Sequence, residues 1–592
     1  MTAPVQHAQA RPLWEQRMRA PRYTLPAWAK SAPDRCVFVS DRSGVAQVYC
    51  WDRTAGTVRQ VTDRAAGVQN CAIEATGKAV WWFADTLGDE RGQWLRQPFG
   101  GGADVPAVPG ASPYWPTGLA MGLRGHALMG CTTEDGTAIS VVEPGGRTRE
   151  LYRHDEPAQA VDLSRALDLA VIAHSERGDL WDPGIRILAM DGSTVADLEG
   201  EAVGFSPVPG DSRLLLLQAR EDRYEPAIYD PGTRELLELP LGLPGETAVE
   251  WFQDARSLLV VHDHQARSHV YRYDLDTRQL TRVRTPEGTI AHARTRPEGD
   301  AWFLWSDSVR PPAFLGLIED LRFPLADQPP PPAAVARDVW VDGPGGRIHA
   351  LLSLPDTAQD TPAPAIFMLH GGPDDHDTDA FEPEVAGWVD QGFVVVRVNY
   401  RGSTGYGRAW TEALRPRVGL TELEDIAAVR QWTVDQKITD PDRLILAGWS
   451  WGGYLTLLGL GVQPEAWALG LAGAPVADCA AAHHQAMGEI QALDRSLFGG
   501  SPAEVPERYR QASPITYVDA VRAPAFLCAG ASDARCPIDQ VRAYAARLAE
   551  RGIPHAFQAY AAGHSMTDVE ERVATFRRQL EFTRRHLPPA AR

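Results

Sequence analysis

The chain contains few cysteines, and none has the spacing of a metal cluster or a disulfide framework. There are seven in 592 residues, an odd number with no C-x-x-C pair: Cys36, Cys50, Cys71, Cys131, Cys479, Cys528 and Cys536. Neither a zinc cluster nor a disulfide scaffold is therefore predicted. We expect reduced, mostly buried thiols.

Long apolar runs and an excess of basic charge are also missing. No run of about 18 apolar residues occurs, and the stretch from Met1 to Trp14 lacks the apolar core of a signal peptide. The formal net charge is −19, whereas a nucleic-acid-binding protein needs a basic face. The sequence thus predicts a soluble, cytoplasmic protein that binds neither nucleic acid nor membranes.

The region from about residue 30 to residue 325 consists of short β-prone runs separated by turn residues, which is typical of antiparallel β-structure. An aromatic residue followed by Asp and a turn recurs at 51–54, 229–233 and 273–277. The last two copies lie 44 residues apart and the first two lie 178 apart, close to four such periods. The region therefore carries an internal repeat.

The period of this repeat matches the blades of a β-propeller, which run about 40–50 residues. Intermediate turns fall near the expected places, at Pro98, Pro144 and Asp191, and a seventh period would end near Glu319. We therefore predict a seven-bladed propeller. The alternative is a pair of β-sandwiches with accidental spacing.

After the proline run at 329–332 the pattern changes to continuous apolar strands that alternate with helical segments. Such strands indicate a mainly parallel sheet covered by helices on both faces. The predicted organisation is an N-terminal segment (1–29), the β-propeller (30–325), a proline-rich linker (326–338) and an α/β-hydrolase catalytic domain (339–592).

A candidate nucleophile lies in the second half, in the sequence Gly-Trp-Ser-Trp-Gly-Gly-Tyr at 448–454. A buried strand precedes it and a helix follows it, which is the context of a G-x-S-x-G nucleophile elbow. Gly448 and Gly452 remove the side chains that would collide at this sharp turn. Ser450 is thus the predicted nucleophile.

The order of the other catalytic groups follows from the same fold, which places the acid after the serine and the base last. Asp533 follows a predicted strand and turn, and His564 lies on a loop between the last strand and the last helix. His483 and His484 lack a preceding strand, and Asp539 falls in the first turn of a predicted helix. We predict Ser450, Asp533 and His564 as the triad.

An oxyanion hole needs backbone N–H groups that point at the developing negative charge. The strand ending at residue 369 runs into His-Gly-Gly-Pro at 370–373, whose glycines let the backbone approach a substrate carbonyl. The N–H groups of Gly372 and Trp451 are the predicted pair.

Five motifs together resemble the prolyl oligopeptidase family of serine peptidases, and its acylaminoacyl-peptidase-like branch most of all. They are His-Gly-Gly-Pro at 370–373, Asn-Tyr-Arg-Gly-Ser-Thr-Gly-Tyr-Gly at 399–407, the elbow at 448–454, Ser-Pro-Ile-Thr-Tyr at 513–517 and Gly-His-Ser at 563–565. The resemblance implies a propeller that caps the active site, so that short peptides enter and folded proteins do not. It also implies acyl transfer without a metal or an organic cofactor, and a homo-oligomer remains open.

The sequence departs from the family pattern after the nucleophile, where Trp451 replaces the usual tyrosine. The propeller also lacks the adjacent Glu-Glu pair with which the dipeptidyl-peptidase branch holds a free amine, since the pair Glu570-Glu571 lies near the C-terminus. This disfavours dipeptide release. An acylaminoacyl peptidase or oligopeptidase is the leading prediction; a carboxypeptidase-like variant, an esterase and a non-catalytic propeller scaffold are the alternatives.

Overall fold

The structure is a computed structural model that describes residues 11–318, 323–325, 329–356 and 361–589. The chain forms a β-propeller followed by an α/β domain. Over the residues described, none of the helices combines the length and the apolar character needed to cross a membrane.

Seven antiparallel sheets form the propeller, and each is a meander in which consecutive strands pair. Six have four strands, and the seventh has three in the described part of the chain. The strands are β1 (Ala27–Ala29), β2 (Ala32–Ser40), β3 (Gln47–Asp52), β4 (Thr57–Gln60), β5 (Cys71–Ile73), β6 (Ala79–Asp85), β7 (Gly92–Pro98), β8 (Val105–Pro106), β9 (Trp115–Met121), β10 (Ala127–Thr133), β11 (Gly136–Val142), β12 (Thr148–His154), β13 (Ala158–Leu163), β14 (Leu169–His174), β15 (Gly184–Ala189), β16 (Thr194–Glu199), β17 (Glu201–Phe205), β18 (Leu214–Arg220), β19 (Arg223–Asp230), β20 (Glu235–Glu238), β21 (Glu246–Trp251), β22 (Ser257–His264), β23 (Arg267–Asp274), β24 (Gln279–Val283), β25 (Thr289–Thr295), β26 (Ala301–Ser306) and β27 (Ala313–Gly316).

The sequence pattern of each blade follows from how the blades stack. The second strand of a blade is buried on both faces because blades pack face to face, as in β6, whose first five residues are all buried. The fourth strand lies at the rim, and all four residues of β20 are exposed. Between the first and seventh blades, the indole rings of Trp51 and Trp302 stack with their centroids 6.1 Å apart. Apolar packing therefore closes the ring.

The predicted repeat and the seven blades are confirmed, and the alternative prediction of two β-sandwiches is wrong. The aromatic-Asp copies end the third strand of blades one, five and six, at the ends of β3, β19 and β23. Pro98 ends β7, while Pro144 and Asp191 follow β11 and β15, the third strands of blades three and four. The predicted end of the seventh period, Glu319, lies outside the described residues.

The α/β domain is built on one eight-stranded sheet with the order β28-β29-β31-β30-β32-β33-β34-β35. β29 runs antiparallel to both of its neighbours, and the pairs from β31 to β35 are parallel. The strands are β28 (Ala336–Gly343), β29 (Gly346–Ser353), β30 (Ala363–Leu369), β31 (Val394–Asn399), β32 (Thr439–Trp449), β33 (Leu469–Gly473), β34 (Ala525–Gly530) and β35 (His555–Tyr560). The predicted α/β-hydrolase arrangement is confirmed.

Helices cover both faces of this sheet. They are α1 (Leu13–Met18), α2 (Pro383–Asp390), α3 (Arg408–Glu412), α4 (Leu420–Asp435), α5 (Trp451–Val462), α6 (Cys479–Gln485), α7 (Gly488–Phe498), α8 (Pro506–Ala512), α9 (Ile538–Glu550) and α10 (Val569–His586). Helices α4 and α5 pack on one face, and α1, α2 and α10 on the other. All six residues of β31 and all six of β34 are buried. Burial on both faces explains their continuous apolar sequences.

The N-terminal segment packs on the α/β domain although the propeller follows it in the chain. The ring of Trp14 in α1 lies 5.2 Å from that of Phe576 in α10, and Arg17 forms an ion pair with Asp390 at the end of α2. The propeller strands begin at Ala27, and the first strand of the hydrolase sheet begins at Ala336, within the predicted linker. The predicted domain limits themselves stay predictions.

Candidate active site

Ser450 occupies the sharp turn between the central strand β32 and helix α5. Its φ of 56° and ψ of −116° are unusual for a residue with a side chain, and such strain is stored where the surroundings hold it in place. A Cβ on Gly448 would come within 2.5 Å of the backbone of Gly452, and one on Gly452 within 2.1 Å of the carbonyl oxygen of Leu369. The two glycines are therefore required by close backbone contacts, as the elbow motif predicts.

Asp533 and His564 meet on the loops that follow β34 and β35. His564 Nδ1 lies 2.8 Å from Asp533 Oδ2, and the other carboxylate oxygen accepts the backbone N–H groups of Arg535 and Cys536 at 2.9 and 2.8 Å. The Asp533 side chain is fully buried and that of His564 is 12% exposed. A carboxylate with these donors accepts the proton of Nδ1, which leaves Nε2 free to act as a base.

The side chain of Ser450 lies beside the thiol of Cys536. Within the described part of the chain, no direct hydrogen bond joins Ser450 to His564. Catalytic hydrogen bonds are often loose in an unliganded enzyme and tighten when substrate binds. The hydrogen bond from the Ser450 hydroxyl to His564 therefore stays a prediction.

The His-Gly-Gly-Pro segment follows β30 and lies next to the nucleophile. A Cβ on Gly371 would be 3.8 Å from Ser450 Cβ. Gly372 has a φ of +113°, and a Cβ there would come within 2.6 Å of the backbone nitrogen of Asp374. Trp451 is the first residue of α5, so its N–H has no partner inside the helix. The roles of Gly372 and Trp451 as oxyanion donors stay predictions.

Tyr400 holds this segment in place, a role that the sequence analysis did not assign. Its hydroxyl donates to the carbonyl oxygen of His370 at 3.0 Å, and the two rings stack with centroids 4.3 Å apart. His370 Nε2 is also hydrogen-bonded to the hydroxyl of Ser403 at 2.7 Å. Tyr400 is fully buried, and burial raises the pKa of its hydroxyl well above the usual value. The only sequence signal for it was the motif at 399–407.

Trp451 packs over a buried carboxyl group. Glu422 in α4 is 0% exposed, and neither of its carboxyl oxygens has a hydrogen-bond partner. The indole N–H of Trp451 faces it but is likewise unpaired. Burial raises the pKa of Glu422 to about 8. The carboxyl group is therefore neutral at pH 7, and burying this neutral form costs less free energy than burying the carboxylate.

A loop of the second blade touches the loops that carry the catalytic acid and base. A Cβ on Gly563 would lie 1.7 Å from the carbonyl oxygen of Gly88, so the two backbones are in direct contact. Glu90 forms two hydrogen bonds with Arg535, at 2.7 and 2.8 Å. Beside them lies a cavity of about 270 Å³ lined by both domains and by His564. This part of the propeller thus borders the catalytic centre.

Two glutamates that are far apart in sequence interact between neighbouring blades of the propeller. Glu201 and Glu246 begin the innermost strands of blades five and six, β17 and β21, and they interact electrostatically. Partial desolvation raises the pKa of both, and the charge of Asp374 adds to this effect for Glu201, whose side chain is itself exposed. Asp374 follows the His-Gly-Gly-Pro segment directly. A search for adjacent glutamates in the sequence could not find this group.

The rejected alternatives lie elsewhere. His483 Nδ1 is 3.0 Å from Asp494 Oδ2 in the layer of α6 and α7. Asp539 lies in the first turn of α9 and pairs with Arg542 at 2.9 Å.

Comparison with known proteins gives a family match for the C-terminal region. Residues 379–589 match the model of the prolyl oligopeptidase family, a range that contains Ser450, Asp533 and His564 but not Gly372. The rat acylamino-acid-releasing enzyme is 30% identical over 250 residues, 40% of this chain and 34% of the relative. The dipeptidyl aminopeptidase BIII of Pseudoxanthomonas mexicana is 26% identical over 351 residues, 56% of this chain and 42% of the relative. The matches thus span less than half the length of these curated relatives.

Solved structures match over nearly the whole chain. A puromycin-hydrolyzing peptidase of Mycobacterium tuberculosis has a TM-score of 0.79 at 21% identity, covering 97% of this chain and 96% of that one. The acylaminoacyl peptidase of Pyrococcus horikoshii has a TM-score of 0.73 at 16% identity, covering 98% of both. At these identities the likeness shows the shared fold, a propeller joined to an α/β-hydrolase domain.

Proposed function

We propose, from the match of residues 379–589 to the model of the prolyl oligopeptidase family, that the chain is a serine peptidase that cleaves short peptides by acyl transfer. The observation that carries the proposal is the buried Asp533–His564 pair, which lies beside the strained Ser450 turn. Both features are local backbone and side-chain arrangements that an inactive scaffold would not need.

In the proposed reaction Ser450 attacks the scissile carbonyl, and His564 Nε2 takes the serine proton and returns it to the leaving amine. Asp533 keeps the imidazole in its orientation and stabilises the cation that forms. The N–H groups of Gly372 and Trp451 stabilise the oxyanion, a contribution of about 3 kcal/mol for each donor. Water then releases the acyl group by the same route.

The propeller supports selection by size. A loop of its second blade borders the catalytic centre, and the contact between Gly88 and Gly563 leaves no gap between the backbones at that point. The cavity beside His564, which both domains line, is a route by which a peptide chain could reach Ser450. We propose that short peptides pass and folded proteins do not.

The candidate peptidase activities differ in the end of the peptide that the enzyme recognises. Action on N-acylated peptides or on oligopeptides in general is the first candidate, and similarity to acylamino-acid-releasing enzymes supports it. Release from a free N-terminus is the second, because Glu201, Glu246 and Asp374 form an acidic group that would attract an ammonium. The dipeptidyl aminopeptidase relative is consistent with that candidate.

A single experiment separates these candidates. A mixed peptide library with blocked and free ends is digested with the full chain and with Ser450→Ala, and the products are identified by mass spectrometry. Cleavage restricted to acylated N-termini supports the first candidate, and cleavage restricted to free N-termini supports the second. Products that depend on a free C-terminus indicate the carboxypeptidase-like alternative, and turnover of esters without any peptide cleavage indicates an esterase. Cytoplasmic location and homo-oligomeric association stay predictions from the sequence.

A further inference from the structure

The last strand of the hydrolase sheet, β35, lies at an open edge. Among the strands that the structure describes, it pairs with β34 alone, in a parallel register. All six residues of β34 are buried, whereas Tyr560 is the one buried residue of β35. We propose that β35 and the adjoining face of α10 form the contact surface for a second copy of this chain, with the two β35 strands paired antiparallel about a twofold axis.

The outer backbone groups of β35 are available for such pairing. The carbonyl oxygens of Pro554 and Tyr560 accept hydrogen bonds at 3.1 and 2.9 Å from the first residue of β34 and from the residue that follows it. Because successive residues of a strand point in opposite directions, the N–H and C=O groups of His555, Phe557 and Ala559 point away from β34. Within the described part of the chain, these groups have no hydrogen-bond partner. Unpaired backbone groups at an edge favour the addition of another strand.

The sequence of β35 has none of the features that usually keep a sheet edge from pairing. It contains no charged residue and no proline, and its register with β34 is regular. The opposite edge of the sheet, β28, instead exposes Arg337, Asp338 and Asp342. Proteins protect exposed edges with charged side chains, prolines and bulges. We therefore expect the unprotected edge to be covered by another strand.

A twofold axis at Phe557 pairs all of the free backbone groups at once. In that register Phe557 lies opposite its own copy, and His555 of each chain lies opposite Ala559 of the other. Each of these three pairs exchanges two hydrogen bonds, so the contact gains about six. The two Phe557 side chains, half-buried in the single chain, become cross-strand neighbours. Such a self-complementary contact closes at two copies.

The charges beside the edge are also complementary to themselves after this rotation. A groove of about 690 Å³ lies between β35 and α10, and its charged residues are Glu571, Arg578, Glu581 and Arg585. Glu571 lies in the first turn of α10 and Arg585 in the last. The twofold axis reverses the second helix, so the acidic end of one groove faces the basic end of the other. Over the described ranges Glu581 and Arg585 are exposed and form no ion pair in the single chain.

The test measures the association of the full-length protein by sedimentation velocity over a range of concentrations. The wild type should sediment as a dimer. Phe557→Glu places two like charges opposite each other at the axis and should raise the dissociation constant of the dimer at least about 10-fold. The matched control is Leu236→Glu, which puts the same charge on an exposed residue of the rim strand β20 and should behave like the wild type.

A charge exchange tests the proposed orientation. Glu571→Arg makes both ends of the groove basic, and Arg585→Glu makes both ends acidic. Each variant alone should therefore dimerise more weakly than the wild type, whereas an equimolar mixture of the two should associate more tightly than either, because opposite charges then meet at both ends. This rescue would not occur if the substitutions only disturbed the fold.

Several outcomes would overturn the proposal. They are a wild type that stays monomeric at every concentration, equal dissociation constants for the wild type and Phe557→Glu, or a mixture that associates no better than its two components. Denaturant unfolding reports whether each variant is folded. Should Phe557→Glu not fold, Ala559→Pro gives the same comparison, since it removes an outward N–H group that β34 does not use.

Discussion

Glu422 should make the stability of the protein fall as the pH rises through neutrality. Its carboxyl group is fully buried without a hydrogen-bond partner, and burial raises its pKa from 4.5 to about 8. Below pH 4.5 the group is protonated in both the folded and the unfolded chain, so it adds no pH dependence. Between pH 4.5 and 8 the unfolded chain ionises and the folded chain does not, so the free energy of unfolding decreases with rising pH. Above pH 8 the effect is complete.

The size of this effect follows from the pKa difference. Each unit of difference between the pKa in the folded chain and that in the unfolded chain is worth 1.36 kcal/mol of unfolding free energy. The difference between 4.5 and about 8 therefore corresponds to about 5 kcal/mol at most. Glu422→Gln removes the ionisable group. The free energy of unfolding of this variant, minus that of the wild type, should therefore rise with pH by up to that amount.

The assay is denaturant unfolding followed by the fluorescence of the buried tryptophans at several pH values from 4 to 9. The matched control is Glu424→Gln in the same helix. Glu424 is bound by Arg401 and Arg417, and these hydrogen bonds and charges hold its pKa below the usual value. Its contribution to stability is therefore lost only as the pH falls below 4.5. Parallel pH profiles for the wild type and Glu422→Gln would refute the reasoning.

The remaining predictions concern the catalytic loops. Asp533→Asn should leave the backbone intact but lower kcat by about 10³–10⁴-fold, measured with the best substrate of the peptide library, because the wrong imidazole tautomer is held; a loss below tenfold would contradict its role. Gly563→Ala places a methyl group 1.7 Å from the carbonyl oxygen of Gly88 and should lower kcat at least about tenfold by displacing His564. The control is Gly100→Ala, in the blade that carries Gly88. Its methyl group meets nothing within 4 Å, so this variant should match the wild type. Tyr400→Phe leaves the carbonyl oxygen of His370 without its buried donor and should cost about 1–3 kcal/mol of unfolding free energy; an unchanged value would show that the contact is dispensable.

The elbow and the order of the triad could be predicted because their signals are local in the sequence. Gly448 is forced by the backbone of Gly452 and Gly452 by the carbonyl oxygen of Leu369 on the neighbouring strand, so any chain that makes this turn beside that strand must carry small residues there. Asp533 and His564 each follow a strand of the parallel part of the sheet, and parallel strands bring their carboxyl ends to one edge of a sheet. The blade count was predictable for a similar reason, since each blade repeats the same turn after its third strand.

The contacts across the fold could not be predicted in this way. Glu422 comes under Trp451 only because α4 packs against α5, and no pattern within α4 marks its carboxyl as unpaired. Glu201 and Glu246 meet because two blades are neighbours, although 45 positions separate them in the sequence. The proximity of Cys536 to Ser450 likewise depends on how two loops fold over the sheet edge. Such contacts follow from packing between elements, which a single sequence does not encode locally.

The most direct test of the account is the site of fluorophosphonate modification. The full-length protein is treated with the reagent, its intact mass is measured, and the modified peptide is sequenced by mass spectrometry. One added group on Ser450 is expected, with no modification of Ser450→Ala and slow modification of His564→Ala, since the reagent requires a serine activated by the imidazole. Modification elsewhere, or a wild-type protein that stays unmodified while peptides are still cleaved, would contradict Ser450 as the nucleophile.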